Sequence, residues 1–218
     1  MYGSKGERQL QDSWGTRARA QRFYDRQVRS DLSEKMQALI RRQEMVFIAT
    51  SDAQGNCDCS PRFGAPGFVE IVDSGRLAYP EFRGNGVFAS LGNISENPHI
   101  GLVFVDFLDT TVGLHVNGRV EICSPENPPG GLEVPDYLGD QGKMILERWV
   151  VIEVEEAYIH CSKHVPSLRK ADKHIDWGTD DPASKSDSFF LEGRNPGKTG
   201  RKPRDGGRRP YPHSPEGQ

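Results

Sequence analysis

Four short stretches carry the residue types that could do chemistry. The first is Tyr79-Pro80-Glu81-Phe82-Arg83-Gly84-Asn85-Gly86, which ends a β-type run and leads into VFASLGNI. A helix N-terminus offers unpaired N–H groups and a partial positive charge, so with Arg83, Asn85 and the Ser90 hydroxyl it could cradle a phosphate. The alternative is an ordinary strand-to-helix turn capped by Asn85, with a solvated arginine. The second stretch, Ser60-Pro61-Arg62-Phe63-Gly64, puts another arginine beside a serine at a strand end. Two such arginines can grip one phosphate monoester through charge-assisted bonds. Otherwise Arg62 pairs with Glu70 or Glu81.

The third stretch is Leu114-His115-Val116-Asn117-Gly118-Arg119-Val120. Strand alternation puts Leu114, Val116, Gly118 and Val120 on one face and His115, Asn117 and Arg119 on the other, facing a site, an interface or solvent. The fourth, Tyr158-Ile159-His160-Cys161-Ser162-Lys163-His164, closes the last strand. Its histidines are four apart but follow a strand, and no matching ligand pair lies elsewhere, which disfavours a metal. A Cys161 nucleophile would need a cleft and a base, and nothing in the sequence provides the cleft. There is no P-loop, G-x-G-x-x-G or G-x-S-x-G, which disfavours triphosphate, Rossmann-type dinucleotide and α/β-hydrolase chemistry. Cys57 and Cys59 share one face of an extended strand and read as reduced thiols packed in the barrel.

Positioning these groups calls for a mainly β framework. The 218 residues allow one core with appendages. From 17 to 44, Phe23, Val28, Leu32, Met36, Leu39 and Ile40 form a helical stripe, so an amphipathic helix, broken near Asp31, should pack on that framework. Then the period becomes two. A strand at 46–50, a turn over Asp52-Ala-Gln-Gly55 and a second strand make a hairpin, and further runs occur at 67–72, 76–79, 99–107, 113–123 and 148–160. A short helix interrupts them between 82 and 98, stopping at Asn97-Pro98. Several β runs with few helices point to a barrel.

Residues 124–142 are rich in Pro and Gly and form a candidate lid, with a turn of helix near Tyr137. The organisation expected is a helical segment 1–44, a barrel 45–180 and a disordered basic tail 181–218. That tail holds Arg194, Lys198, Arg201, Lys202, Arg204, Arg208 and Arg209, a pattern open to salt-sensitive phosphate contacts but short of interleaved aromatics, so nucleic acid is not the expected partner. Net charge is −3, no apolar stretch is long enough to span a bilayer, and the N-terminus lacks a signal-peptide core, so no membrane partner and a cytoplasmic protein are expected.

Taken in order, FIATSDAQGNCDCSPRFGAPGFVEIVD, LAYPEFRGNGVFASLGNISENPHIGLVFVDF, GLHVNGRVEI and EEAYIHCSKHVP resemble the pyridoxamine 5′-phosphate oxidase-related FMN-binding proteins across roughly residues 17–180, on the side of the actinobacterial-type members. The resemblance implies a six-stranded antiparallel split β-barrel with peripheral helices, working as a homodimer with FMN at the subunit interface. It implies phosphate binding by Ser60, Arg62, Arg83, Asn85 and Ser90, and an isoalloxazine flanked by Tyr79 and Pro80. Asn117, Arg119, His160 and Lys163 would approach the flavin or the partner subunit.

The vitamin B6 oxidase's own R-x-V-L-L-K and S-R-K runs are replaced by SPRFG and RGNG, and its C-terminal Arg/His run is not found, so pyridoxamine phosphate is not the expected substrate. The expectation is an FMN-dependent oxidoreductase of unassigned substrate. Its alternatives are a non-catalytic flavin-binding protein or a split barrel holding haem or a deazaflavin.

Overall fold

A computed structural model describes residues 2–132 and 145–171, all within the compact unit Met1–Asp181. The turn of helix expected near Tyr137 and the basic tail 181–218 lie outside the described residues, as do residues 133–142 of the candidate lid.

The N-terminal stripe forms more than one helix. The first, α1 (Lys5–Ser13), precedes the expected region and is nucleated by a capping box: the Glu7 N–H donates to Ser4 Oγ at 3.1 Å, and the Ser4 N–H donates to Glu7 Oε1 at 3.0 Å. The expected helix of 17–44 divides into α2 (Arg17–Gln27) and α3 (Glu34–Ile40). Between them the chain runs extended, and Arg29 exchanges two backbone hydrogen bonds with Ala157, of 2.9 and 2.7 Å. Ser33 caps α3, which buries Met36, Leu39 and Ile40 against the sheet. Each such side chain contributes roughly 1.5–3 kcal/mol of burial.

The sheet has seven strands: β1 (Met45–Ser51), β2 (Cys57–Phe63), β3 (Glu70–Asp73), β4 (Arg76–Phe82), β5 (His99–Val105), β6 (Gly113–Cys123) and β7 (Leu146–His160). The helix α4 (Ala89–Glu96) separates β4 from β5. All strand pairs are antiparallel, in the order β2-β1-β5-β6-β7-β4-β3. The count corrects the six strands expected from resemblance and agrees with the seven runs counted from residue alternation. β3 is a short edge strand paired only to β4.

Inward residues follow the alternation, with Val46 and Ile48 of β1, Ile100, Leu102 and Phe104 of β5, and Leu114 and Val116 of β6 all buried in one core. β7 spans both halves of the sheet, pairing with β6 from 149 to 160 and with β4 from 146 to 153. Opposite the register shift after Asn117 the ladders come so close that a Cβ on Gly118 would lie 2.1 Å from the Glu153 carbonyl oxygen. Trp149, Ala78 and Val151 form a second cluster, beside Val72, Cys123 and Leu132.

Cys57 and Cys59 are free and exposed, not barrel packing as expected. They share a face, but it is the outer one: β2 is an edge strand, and its alternate residues Asp58, Ser60 and Arg62 turn the other way. Among the described residues, no helix is long and apolar enough to cross a membrane.

Candidate functional site

β2 and β4 are separated by four strands in the sheet, yet Arg62 Nε donates to Glu81 Oε2 at 2.9 Å. The sheet therefore curls until its strand ends face each other, and α4 sits beside the gap. Asn93 Nδ2 donates to Thr50 Oγ1 at 3.0 Å and Asn97 Nδ2 to Ser51 Oγ at 2.9 Å, tying α4 to β1. A cavity of about 380 Å³ lies among β2, β4 and the start of α4.

Its polar wall comes from the alternation of β2. Asp58, Ser60 and Arg62, two residues apart, share one face and all line the cavity. Arg62 Nη1 donates to Ser60 Oγ at 2.8 Å, Ser60 Oγ and Ser90 Oγ are 3.4 Å apart, and Ser90 Oγ donates to Asp58 Oδ2 at 3.1 Å. Ser90, in the first turn of α4, is buried. Pro80, Glu81 and Asn85 also line the cavity. Asn85 does not cap α4: its Oδ1 accepts from the Val87 N–H at 3.0 Å, and Phe88, with a left-handed φ of 54°, occupies the cap position. The apolar wall includes Phe63, Val87 and Phe88, which are 52%, 71% and 49% exposed.

The remaining expected site residues are dispersed. The Arg83 side chain leaves the cavity and meets Glu147, Nε to Oε1, at 3.4 Å. Tyr79 does not line the cavity. It is fully buried in the core because it lies on the inward face of β4, its hydroxyl has no partner among the described residues, and burial, followed by the charge of Glu81, holds it in the neutral form. Pro80, on the opposite face, is left to line the site.

Asn117 and Arg119 project from the outer face of β6, where Asn117 Nδ2 meets Glu156 Oε1 at 3.5 Å. His160 pairs with His115, Nδ1 to Nε2, at 3.0 Å. Lys163 is exposed beyond β7, its N–H donating to Cys161 Sγ at 3.4 Å. None of these four lines the cavity between β2, β4 and α4.

Two residues lining the cavity, Asp58 and Glu81, are not among the site residues expected from the sequence. Asp58 was detectable, standing two and four residues before Ser60 and Arg62 on the same strand face. Glu81 is expected only as a bland partner for Arg62, and that pairing is the one found, with side chains 19% and 17% exposed.

A family model described as pyridoxamine 5′-phosphate oxidase matches residues 32–161. No curated protein matches the chain. Among solved structures, HupZ of Group A Streptococcus is 24% identical, with a TM-score of 0.42, over 57% of this chain and 90% of that one. A Clostridium acetobutylicum protein related to general stress protein 26, of the pyridoxinephosphate oxidase family, is 16% identical, with a TM-score of 0.39, over 62% of this chain and 89% of that one. HutZ, the haem storage protein of Vibrio cholerae, is 11% identical, with a TM-score of 0.40, over 59% of this chain and 93% of that one.

Proposed function

The chain belongs to the pyridoxamine 5′-phosphate oxidase family, and from that premise we propose that it is an FMN-dependent oxidoreductase whose cofactor phosphate enters the cavity between β2, β4 and α4. The observation that carries the reading is the convergence of Ser60, Arg62, Ser90 and the first turn of α4 on one cavity. Hydroxyl, guanidinium and helix N–H donors are the set that a phosphate monoester requires. Phe63, Val87 and Phe88 supply the apolar wall that a flat ring system needs, and Asn85 and Pro80 complete the lining. Arg83, itself half exposed, would join the phosphate by leaving Glu147, to which a single 3.4 Å contact holds it. When bound, FMN would supply hydride or electron transfer, and the protein would supply placement.

The homodimer is part of the same reading. Phe47 of β1 and Val103 of β5 are cross-strand neighbours on the outer face, with His115 of β6 beside them, and this pair of apolar side chains is suited to a second copy of the chain. On a dimer of this kind Asn117, Arg119, His160 and Lys163 would serve the interface or the partner's flavin. Cytoplasmic residence accords with the free thiols of all four cysteines.

The test is the visible spectrum of purified protein after FMN addition and removal of excess. Retained flavin bands in the wild type, lost in a folded Arg62→Ala variant, are the expected result. A Soret band, or a folded wild type that retains no flavin, overturns the cofactor assignment.

A further inference from the structure

The polar wall of the cavity has a direction. Ser60 accepts from Arg62, so its own proton faces Ser90, and Ser90 in turn donates to Asp58. Both hydroxyl protons are thereby committed, and the chain of donors ends on a carboxylate. The charged groups facing the cavity are Asp58 and Arg62 from β2 and Glu81 from β4, with Arg62 already held by Glu81 at 2.9 Å. Arg83 stands outside, against Glu147 of β7. The first turn of α4 brings Ser90 and backbone N–H groups but no acidic side chain. Tyr79, the remaining titratable group of β4 nearby, is buried and neutral. One guanidinium therefore stands against two carboxylates, and a phosphate dianion would meet Asp58 with no hydroxyl proton free to receive it.

We propose that the site takes a phosphate monoester in its singly protonated form, the P–O–H donating to the Asp58 carboxylate in place of Ser90. Ser90, released, turns its hydroxyl to a phosphoryl oxygen. The balance closes: the ligand brings one proton and keeps it, and each of the two hydrogen bonds has one donor and one acceptor. The inference rests on the flavin reading of the cavity and deepens it, because Asp58 then selects the protonation state of the ligand.

The second ionisation of a phosphate monoester lies at about 6, so the binding form makes up about half the population there and on the order of 1% two pH units higher. Affinity for FMN should therefore weaken by about tenfold per pH unit above roughly pH 7. Quenching of flavin fluorescence measures this directly for the full chain, with FMN and riboflavin as probes. The expected result is a steep loss of FMN affinity on raising the pH, a flat profile for riboflavin, and a flattened FMN profile in Asp58→Asn, whose amide can donate to a dianion and should bind it more tightly at high pH.

FMN binding that does not change with pH in the wild type overturns the proposal alone and leaves the flavin site standing. So does an Asp58→Asn variant that keeps the wild-type slope. No FMN binding by folded wild type at any pH overturns the flavin reading, and this proposal with it.

Discussion

His115 Nε2 lies 3.0 Å from His160 Nδ1, and the His115 ring stacks on Tyr158 with centroids 4.6 Å apart and planes 8° from parallel. One ring of the pair must accept, so the two cannot both be cations without losing the bond. Burial first, and the charge of His160 second, hold His115 below the ordinary histidine value. The unfolded chain takes up a proton that folded His115 refuses, so this contribution to stability is complete above about pH 6.5 and is lost as the pH falls through the folded pKa. The urea midpoint should drop on acidification across that window, and drop less in His115→Gln. Equal slopes for the two proteins would remove His115 as the cause.

Gly118→Ala should cost about 1–3 kcal/mol or more, because the new methyl meets the Glu153 carbonyl oxygen 2.1 Å away and backbone cannot swing aside as a side-chain tip can. Denaturant titration reads the loss. A variant as stable as the wild type would mean that the β6–β7 ladder spreads at the bulge without penalty.

Tyr79→Phe should leave flavin retention unchanged and stabilise the fold by about 1 kcal/mol, since it deletes a buried hydroxyl with no partner among the described residues. The spectrum of the reconstituted variant and its melting midpoint decide this together. Loss of flavin would restore Tyr79 to the site.

Phe47→Asp, on the outer face of β1 opposite Val103, should convert a dimer to a monomer in light scattering and release FMN in the same titration. A monomeric wild type that retains FMN would confine the site to one chain.

The elements that could be read from residue order are those whose period is unbroken. Leu114, Val116, Gly118 and Val120 against His115, Asn117 and Arg119 is such a case, and β6 carries that division of faces straight through its register shift after Asn117. α1 is hard to read although Ser4 and Glu7 spell a capping box, because it buries no side chain and leaves no apolar stripe to detect. The site was half legible. Ser60 and Arg62 are neighbours on one strand, whereas their meeting with Glu81 and Ser90 depends on how far a seven-stranded sheet curls, which is a property of twist summed over strands and of no local segment. Tyr79 was misplaced for a related reason: motif adjacency to Pro80 says nothing about which face of β4 points inward.

The Arg62–Glu81 contact joins two strands that share no backbone ladder, so side chains from β2, β4 and α4 hold the seam shut where hydrogen-bonded sheet does not. Whatever competes for Arg62 competes with the latch of the barrel. A guest that drew Arg62 away from Glu81 would loosen that closure, and strain that prised β2 from β4 would in turn change the grip on the guest.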